Sequence, residues 1–248
     1  VSDGPFTLAA FRRILDGARQ HGYRFAFFDE EPGAARIVYM RHDVDNCIDA
    51  ALDMAIVEAD AGVNATYFVM LRSPNYNLLG HAAIDTVRHI ASLGHRIGLH
   101  HVGAGPTQPD DVRRDADLLA AAVGVPVEAF SFHNPSLRGD HRIEVHGLVN
   151  AYAPAFTERA RYVSESGMRW RTLPPDALFA SEGADAYQVL IHPFSYAADL
   201  RSNRDVLLHF LRRKVAELKQ LNESENHELS RHPVPMEAVA AALLDGVP

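Results

Sequence analysis

The sequence predicts an α/β fold, about seven parallel strands closed or nearly closed into a (β/α) barrel. Short apolar runs alternate with amphipathic stretches at helical spacing along most of the chain, the pattern that lays helices over a parallel sheet. Several of those runs end in Asp or His, at the carboxyl ends of strands where α/β folds build their sites. An open doubly wound sheet is the structural alternative. No Gly-x-Gly-x-x-Gly follows the first strand and no Gly-x-x-x-x-Gly-Lys occurs, which disfavours dinucleotide and P-loop readings.

The elements follow in order. Leu8, Phe11, Ile14, Leu15 and Ala18 predict a helix over about 7–21, and Tyr23 to Phe28 and Ile37 to Arg41 read as strands. A helix over Asp49 to Ala61 stops at Gly62, and Ala65 to Met70 is β-branched and aromatic, a buried strand. A polar loop, Arg72 to Gly80, precedes a helix over His81 to Leu93; Gly94 ends it, and Arg96 to His100 is the next strand. Asp110 and Asp111 open a helix to about Val123, their charge suiting its N-terminus. Val127 to His133 is a further strand, Leu148 to Tyr152 and Arg161 to Ser164 are short extended pieces, and Tyr187 to His192 is a clear strand. Leu207, Phe210, Leu211, Val215, Leu218 and Leu221 mark a long amphipathic helix, Asn222 to Pro235 is polar, and Met236 to Leu244 reads as a short terminal helix.

A chain of 248 residues with 47% hydrophobic content can bury a substantial core, and no linker or repeat divides it, so one domain over 1–248 is expected. The formal charge of −8 argues against nucleic acid as a partner. The single cysteine, Cys47, rules out an intrachain disulfide and reads as a packing residue. No apolar run is long enough for a membrane span and Val1-Ser2-Asp3-Gly4 does not resemble a signal peptide, so a cytoplasmic location without a membrane partner is the expectation. Of the fourteen histidines, His21, His81, His89, His95, His209 and His227 read as surface residues.

The chemistry concentrates in Met40-Arg41-His42-Asp43-Val44-Asp45. Carboxylates at the end of a buried strand are costly to desolvate unless a metal or substrate stabilises them. Asp43 and Asp45 project to the same face of an extended strand. Other strands end at His100-His101, His133 and His192, so Asp and His from separate strand ends converge over one mouth. Zinc accepts such nitrogen and oxygen donors, often three protein groups with one position open.

These segments resemble the polysaccharide deacetylases, the NodB-homology superfamily of carbohydrate esterases, over about residues 37 to 195. Arg41-His42-Asp43-Val44-Asp45 stands where the family has Thr-Phe-Asp-Asp-Gly, and Gly94-His95-Arg96-Ile97-Gly98-Leu99-His100 matches Gly-His-Glu-Ile-Gly-x-His. Phe132-His133-Asn134-Pro135 falls at the family's Arg-x-Pro, and Leu190-Ile191-His192-Pro193 resembles its closing Leu-x-His. Tyr162 to Arg171 resembles the Ser-Asp-Ser…Trp-Arg stretch of a branch tied to surface-polysaccharide or small-sugar biosynthesis.

The resemblance implies a deformed (β/α) barrel and metal-dependent removal of an N-acetyl or other small N-acyl group from an amino sugar or sugar-bearing small molecule, with zinc as the expected cation. It implies Asp43 as general base and Asp45 as ligand, with the reverse assignment open because Val44 is inserted between them. It implies His100 as metal ligand and His192 as the acid that protonates the departing amine. The family's second metal histidine, four residues after the first, is replaced by Ala104. His133 is preferred as its substitute; His101 serves only if the chain turns there, since strand neighbours face opposite ways. The family's base-orienting arginine is also replaced, with Arg41 and Arg171 as candidates to compensate. Asn75, Tyr76, Asn77, His101, Asn134, Trp170 and Arg171 are candidates for binding substrate; Trp170 reads equally well as core. Two alternatives stay open: a same-fold hydrolase of a non-sugar amide such as a formyl or ureide substrate, with or without metal, and a non-catalytic binding protein with a degenerate deacetylase barrel.

Overall fold

In the computed structural model the described residues are 6–103, 107–135, 141–181, 183–197, 200 and 202–245, so Ala104 lies outside them. The chain divides into two compact units, Val1–Asn203 and Arg204–Pro248.

The first unit is built on a parallel sheet. Its strands are β1 (Arg24–Phe25), β2 (Ile37–Val44), β3 (Thr66–Val69), β4 (Arg96–His101), β5 (Val127–Phe132), β6 (Val149–Asn150), β7 (Arg161–Ser164) and β8 (Ala186–Ile191). Seven run in the order β6-β5-β4-β3-β2-β8-β7, and β1 adds a short pairing to the start of β2. They form a curled half-barrel with helices around it, consistent with the deformed (β/α) barrel expected. The helices are α1 (Leu8–Gln20), α2 (Ile48–Asp60), α3 (His81–Ser92), α4 (Pro109–Val123) and α5 (Pro175–Ser181). Local chemistry sets their ends. The Thr7 hydroxyl accepts from Ala10 N–H at 3.0 Å to cap α1, while α4 opens on Pro109 and stops at Gly124, whose φ of 73° suits a residue without a Cβ.

The Tyr23–Phe28 strand of the sequence reading is shorter, because the chain leaves the sheet after Phe25 and turns Phe28 into the barrel interior. There Phe28 packs with Ile37, Tyr39, Phe68, Ala129 and Phe156. β2 and β8 are buried along their whole length, as expected for strands covered on both faces. Period-2 alternation then sorts side chains between the interior and the helices. On β2 the odd residues Ile37, Tyr39, Arg41 and Asp43 face inward, while His42 faces outward to Glu58 of α2. Gly98 on β4 must be glycine: a Cβ there would lie 2.5 Å from the Phe68 ring and 3.1 Å from the Ala129 carbonyl oxygen.

The second unit follows α6 (Asn203–Glu225) into α7 (His227–Arg231) and α8 (Met236–Asp245). On α6 only Val206 and Phe210 are buried, whereas Leu207, Leu211, Leu218 and Leu221 of the predicted apolar face are exposed. Among the described residues no helix is long and apolar enough to cross a membrane.

Candidate metal centre and its hydrogen-bonded support

The inward-facing alternation continues to the carboxyl ends of four strands. It delivers Asp43 and Asp45 from β2, His100 from β4, Ser131 and His133 from β5, and His192 from β8. Asp45 Oδ1 lies 3.0 Å from His100 Nε2 and 3.5 Å from His133 Nδ1. One ligand atom from each of these three residues lies within 4.8 Å of the others. Asp45 Oδ1 is buried and faces these two imidazoles, an environment costly for a carboxylate oxygen without a cationic partner and natural for a metal ligand. Two imidazoles and one carboxylate form a donor set that suits zinc. Burial alone would raise the Asp45 pKa, but His100 and His133, with the charge of His192, hold it far below the usual range.

Each histidine is held from behind. His100 Nδ1 lies 2.7 Å from Ser131 Oγ, which leaves Nε2 toward Asp45. His133 Nε2 lies 2.9 Å from the side-chain amide of Asn134, a residue with a left-handed φ of 50°. Asn134 therefore meets the site through His133.

Asp43 sits beside this cluster, with Oδ2 3.7 Å from His100 Nε2. Arg41 donates to both its oxygens, Nε to Oδ1 at 2.9 Å and Nη2 to Oδ2 at 2.8 Å. Arg41 is itself fully buried and also donates to Gln188 Oε1 at 3.1 Å and Tyr152 Oη at 2.9 Å, with its guanidinium over the Tyr152 ring. Gln188 in turn donates to the carbonyls of Ala151 and Phe156. Side chains thus tie β8 to the segment after β6, while among the described residues those two strands share no backbone ladder. Burial would push the Asp43 carboxyl up; the charges of Arg41 and His100 and the Arg41 hydrogen bonds bring it below its ordinary value.

His192 closes the other side, with Nε2 3.8 Å from Asp45 Oδ2. Its Nδ1–H donates to the Glu165 carbonyl oxygen at 2.9 Å, turning Nε2 toward the site. The Glu165 carboxylate is fully buried and accepts from Ser195 Oγ at 2.8 Å, Met168 N–H at 2.7 Å and His192 N–H at 3.2 Å. Burial would lower the His192 pKa; Glu165, with Asp43 and Asp45, overrides it and raises the imidazole to about 9. Sequence reasoning assigned no role to Glu165, Ser131, Gln188 or Tyr152. The available signal was an acidic residue one step beyond β7 and polar residues on the inward period of β5 and β8.

The remaining candidates lie elsewhere. His101 faces outward, 3.3 Å from Asp115 Oδ2 on α4, and Asp115 also accepts from Arg72. The chain does not turn there, so His101 is not in the Asp45 cluster. Tyr76 Oη donates to the Val44 carbonyl at 2.7 Å and accepts from Met70 N–H at 2.8 Å. Asn75 Nδ2 donates to the Asp45 carbonyl at 3.2 Å, so this loop anchors the backbone that carries Asp45. Asn77 is exposed and accepts from Leu79 N–H. Trp170 is buried against Phe6, and Arg171 is exposed. His95 is not on the surface: it is buried against Ala55, Ala65 and Glu58, because its strand-entry position lies beneath α2.

No protein-family model matches the chain, and no curated protein matches it. Its fold is similar to solved structures of carbohydrate esterase family 4. A pseudoenzyme of that family from Bacillus anthracis shares 17% identity over 75% of this chain at a TM-score of 0.47. The match covers 66% of that protein, just under two thirds of its length. A Streptococcus pyogenes deacetylase solved with acetate shares 16% identity, covering 82% of this chain and 86% of that one, at a TM-score of 0.42. A family 4 acetyl xylan esterase from Clostridium thermocellum, solved with a cobalt ion, shares 16% identity, covering 74% and 90%, at a TM-score of 0.40.

Proposed function

We propose that this protein is a metal-dependent amidohydrolase that removes an acetyl or other small acyl group from the nitrogen of an amino sugar. The observation that carries the reading is the convergence of Asp45, His100 and His133, with Asp43 on one side and His192 on the other. Those three residues would hold a divalent cation, zinc by their donor set, which would supply Lewis acidity to the acyl carbonyl and the attacking water.

The chain's own groups do the rest. Asp43, held ionised by Arg41, takes a proton from the water as its oxygen bonds to the acyl carbon. His192, protonated at neutral pH because of Glu165, gives a proton from Nε2 to the departing nitrogen as the C–N bond breaks. The products are a small carboxylate and the free amine. Ser131 and Asn134 orient the two ligand histidines. The choice of a sugar amide as substrate rests on the sequence motifs over 37–195.

The test is metal analysis combined with acetate or formate release from a panel of N-acyl amino sugars. Activity that collapses with chelator and returns with zinc supports the reading. Chelator-insensitive hydrolysis of a non-sugar amide replaces it, and metal-free, inert protein points to a binding role.

A further inference from the structure

α6 leaves an apolar stripe in solvent. Leu207, Leu211, Leu218 and Leu221 are 46 to 58% exposed. At helical periodicity they project within an arc of about 80°, with the buried Phe210 about 20° and Val206 about 60° beyond its edge. With Lys214 they follow heptad spacing over the length of the helix. Several leucines aligned on one face make a patch, not scattered exposure.

The charges along the same helix say what fits the stripe. Arg204, Arg212, Arg213 and Lys214 outweigh Asp205 in its first half, whereas Glu217, Glu223 and Glu225 outweigh Lys219 in its second. A helix polarised this way is complementary to itself only when reversed. We propose that α6 pairs antiparallel with α6 of a second copy of this chain, an inference independent of the amidohydrolase reading.

In this arrangement Leu207 of one copy meets Leu221 of the other, and Leu211 meets Leu218. Arg212 and Arg213 come beside Glu217 of the other copy, and Arg204 beside Glu225. Lys214 falls near the two-fold axis, with its ammonium held 2.9 Å from Glu217 Oε2. A polar residue at a core heptad position sets orientation and register. Parallel pairing would set the basic halves against each other. The contact is one helix wide, small for a permanent dimer, so it forms at micromolar concentration.

Sedimentation equilibrium of the full chain from low to high micromolar concentration tests this. The expected result is a reversible monomer–dimer equilibrium. Leu211→Glu combined with Leu218→Glu weakens it by more than about a hundredfold, while Ala216→Glu on the opposite side of the helix leaves it unchanged. Circular dichroism matching the parent shows that the variants fold. Leu207→Cys with Leu221→Cys oxidises to a covalent dimer, and Leu207→Cys alone does not. A parent chain that is monomeric throughout, a dimer indifferent to Leu211→Glu with Leu218→Glu, or cross-linking by Leu207→Cys alone overturns the proposal.

Discussion

Arg41 and Asp43 stand two residues apart on the same face of β2 and meet through two parallel hydrogen bonds of 2.9 and 2.8 Å, both side chains buried. The pair lets a carboxylate remain ionised where solvent cannot reach it. Its position beside His100 puts that charge at the edge of the candidate metal centre.

Removing one partner strands the other. Arg41→Met is expected to cost about 3–5 kcal/mol of stability, because Asp43 is left buried and unpaired. Arg41→Met combined with Asp43→Leu should recover a large part of that loss, since well-packed apolar groups can replace a buried ion pair. Urea titrations of the two variants measure the difference.

Metal content separates the candidate ligands. The purified protein should hold about one equivalent of zinc or another divalent cation, with Asp45→Ala, His100→Ala and His133→Ala each removing it. His101→Ala should keep the metal, because that imidazole faces Asp115. Elemental analysis after dialysis reads both results.

Ser131 tests the support behind the ligands. Ser131→Ala leaves all three ligand side chains in place but removes the 2.7 Å contact to His100 Nδ1. Metal affinity should fall by about 10–100-fold, measured by competition with a calibrated chelator.

In the proposed reaction His192 and Glu165 serve the acid step. His192→Ala should lower kcat by about 10²–10⁴-fold with metal content unchanged, because His192 is outside the three-ligand cluster. Glu165→Gln should lower kcat less and also destabilise the fold, since its carboxylate accepts from Ser195, Met168 and His192. Steady-state kinetics alongside thermal melts distinguish the two variants.

Much of this site is legible along the chain because strand alternation is local. Once Ile37 to Arg41 and Arg96 to His100 are read as strands that run on in extended form, period 2 sets Asp43 with Asp45, and His100 apart from His101. The same local logic fails for β1, whose apolar run continues past the point where Phe28 turns inward. It also fails for His95, exposed by its helix-flanking position in the sequence yet buried beneath α2. On α6, periodicity finds the leucine stripe but is silent on what covers it.

By itself, then, the sequence determined the strand–helix alternation, the face on which each candidate side chain sits, and the Asp and His composition of the site. Those are properties of neighbouring residues and of the two-residue repeat of extended chain. Only the tertiary structure decided that His133, and not His101, joins Asp45 and His100, and that Arg41 is a buried partner of Asp43 instead of a solvated flank. The reason is long-range: Arg41 is tolerable inside the barrel because Gln188 and Tyr152 accept its remaining hydrogen bonds. Gln188 reaches it through the sheet order that brings β8 beside β2, and Tyr152 from the segment after β6.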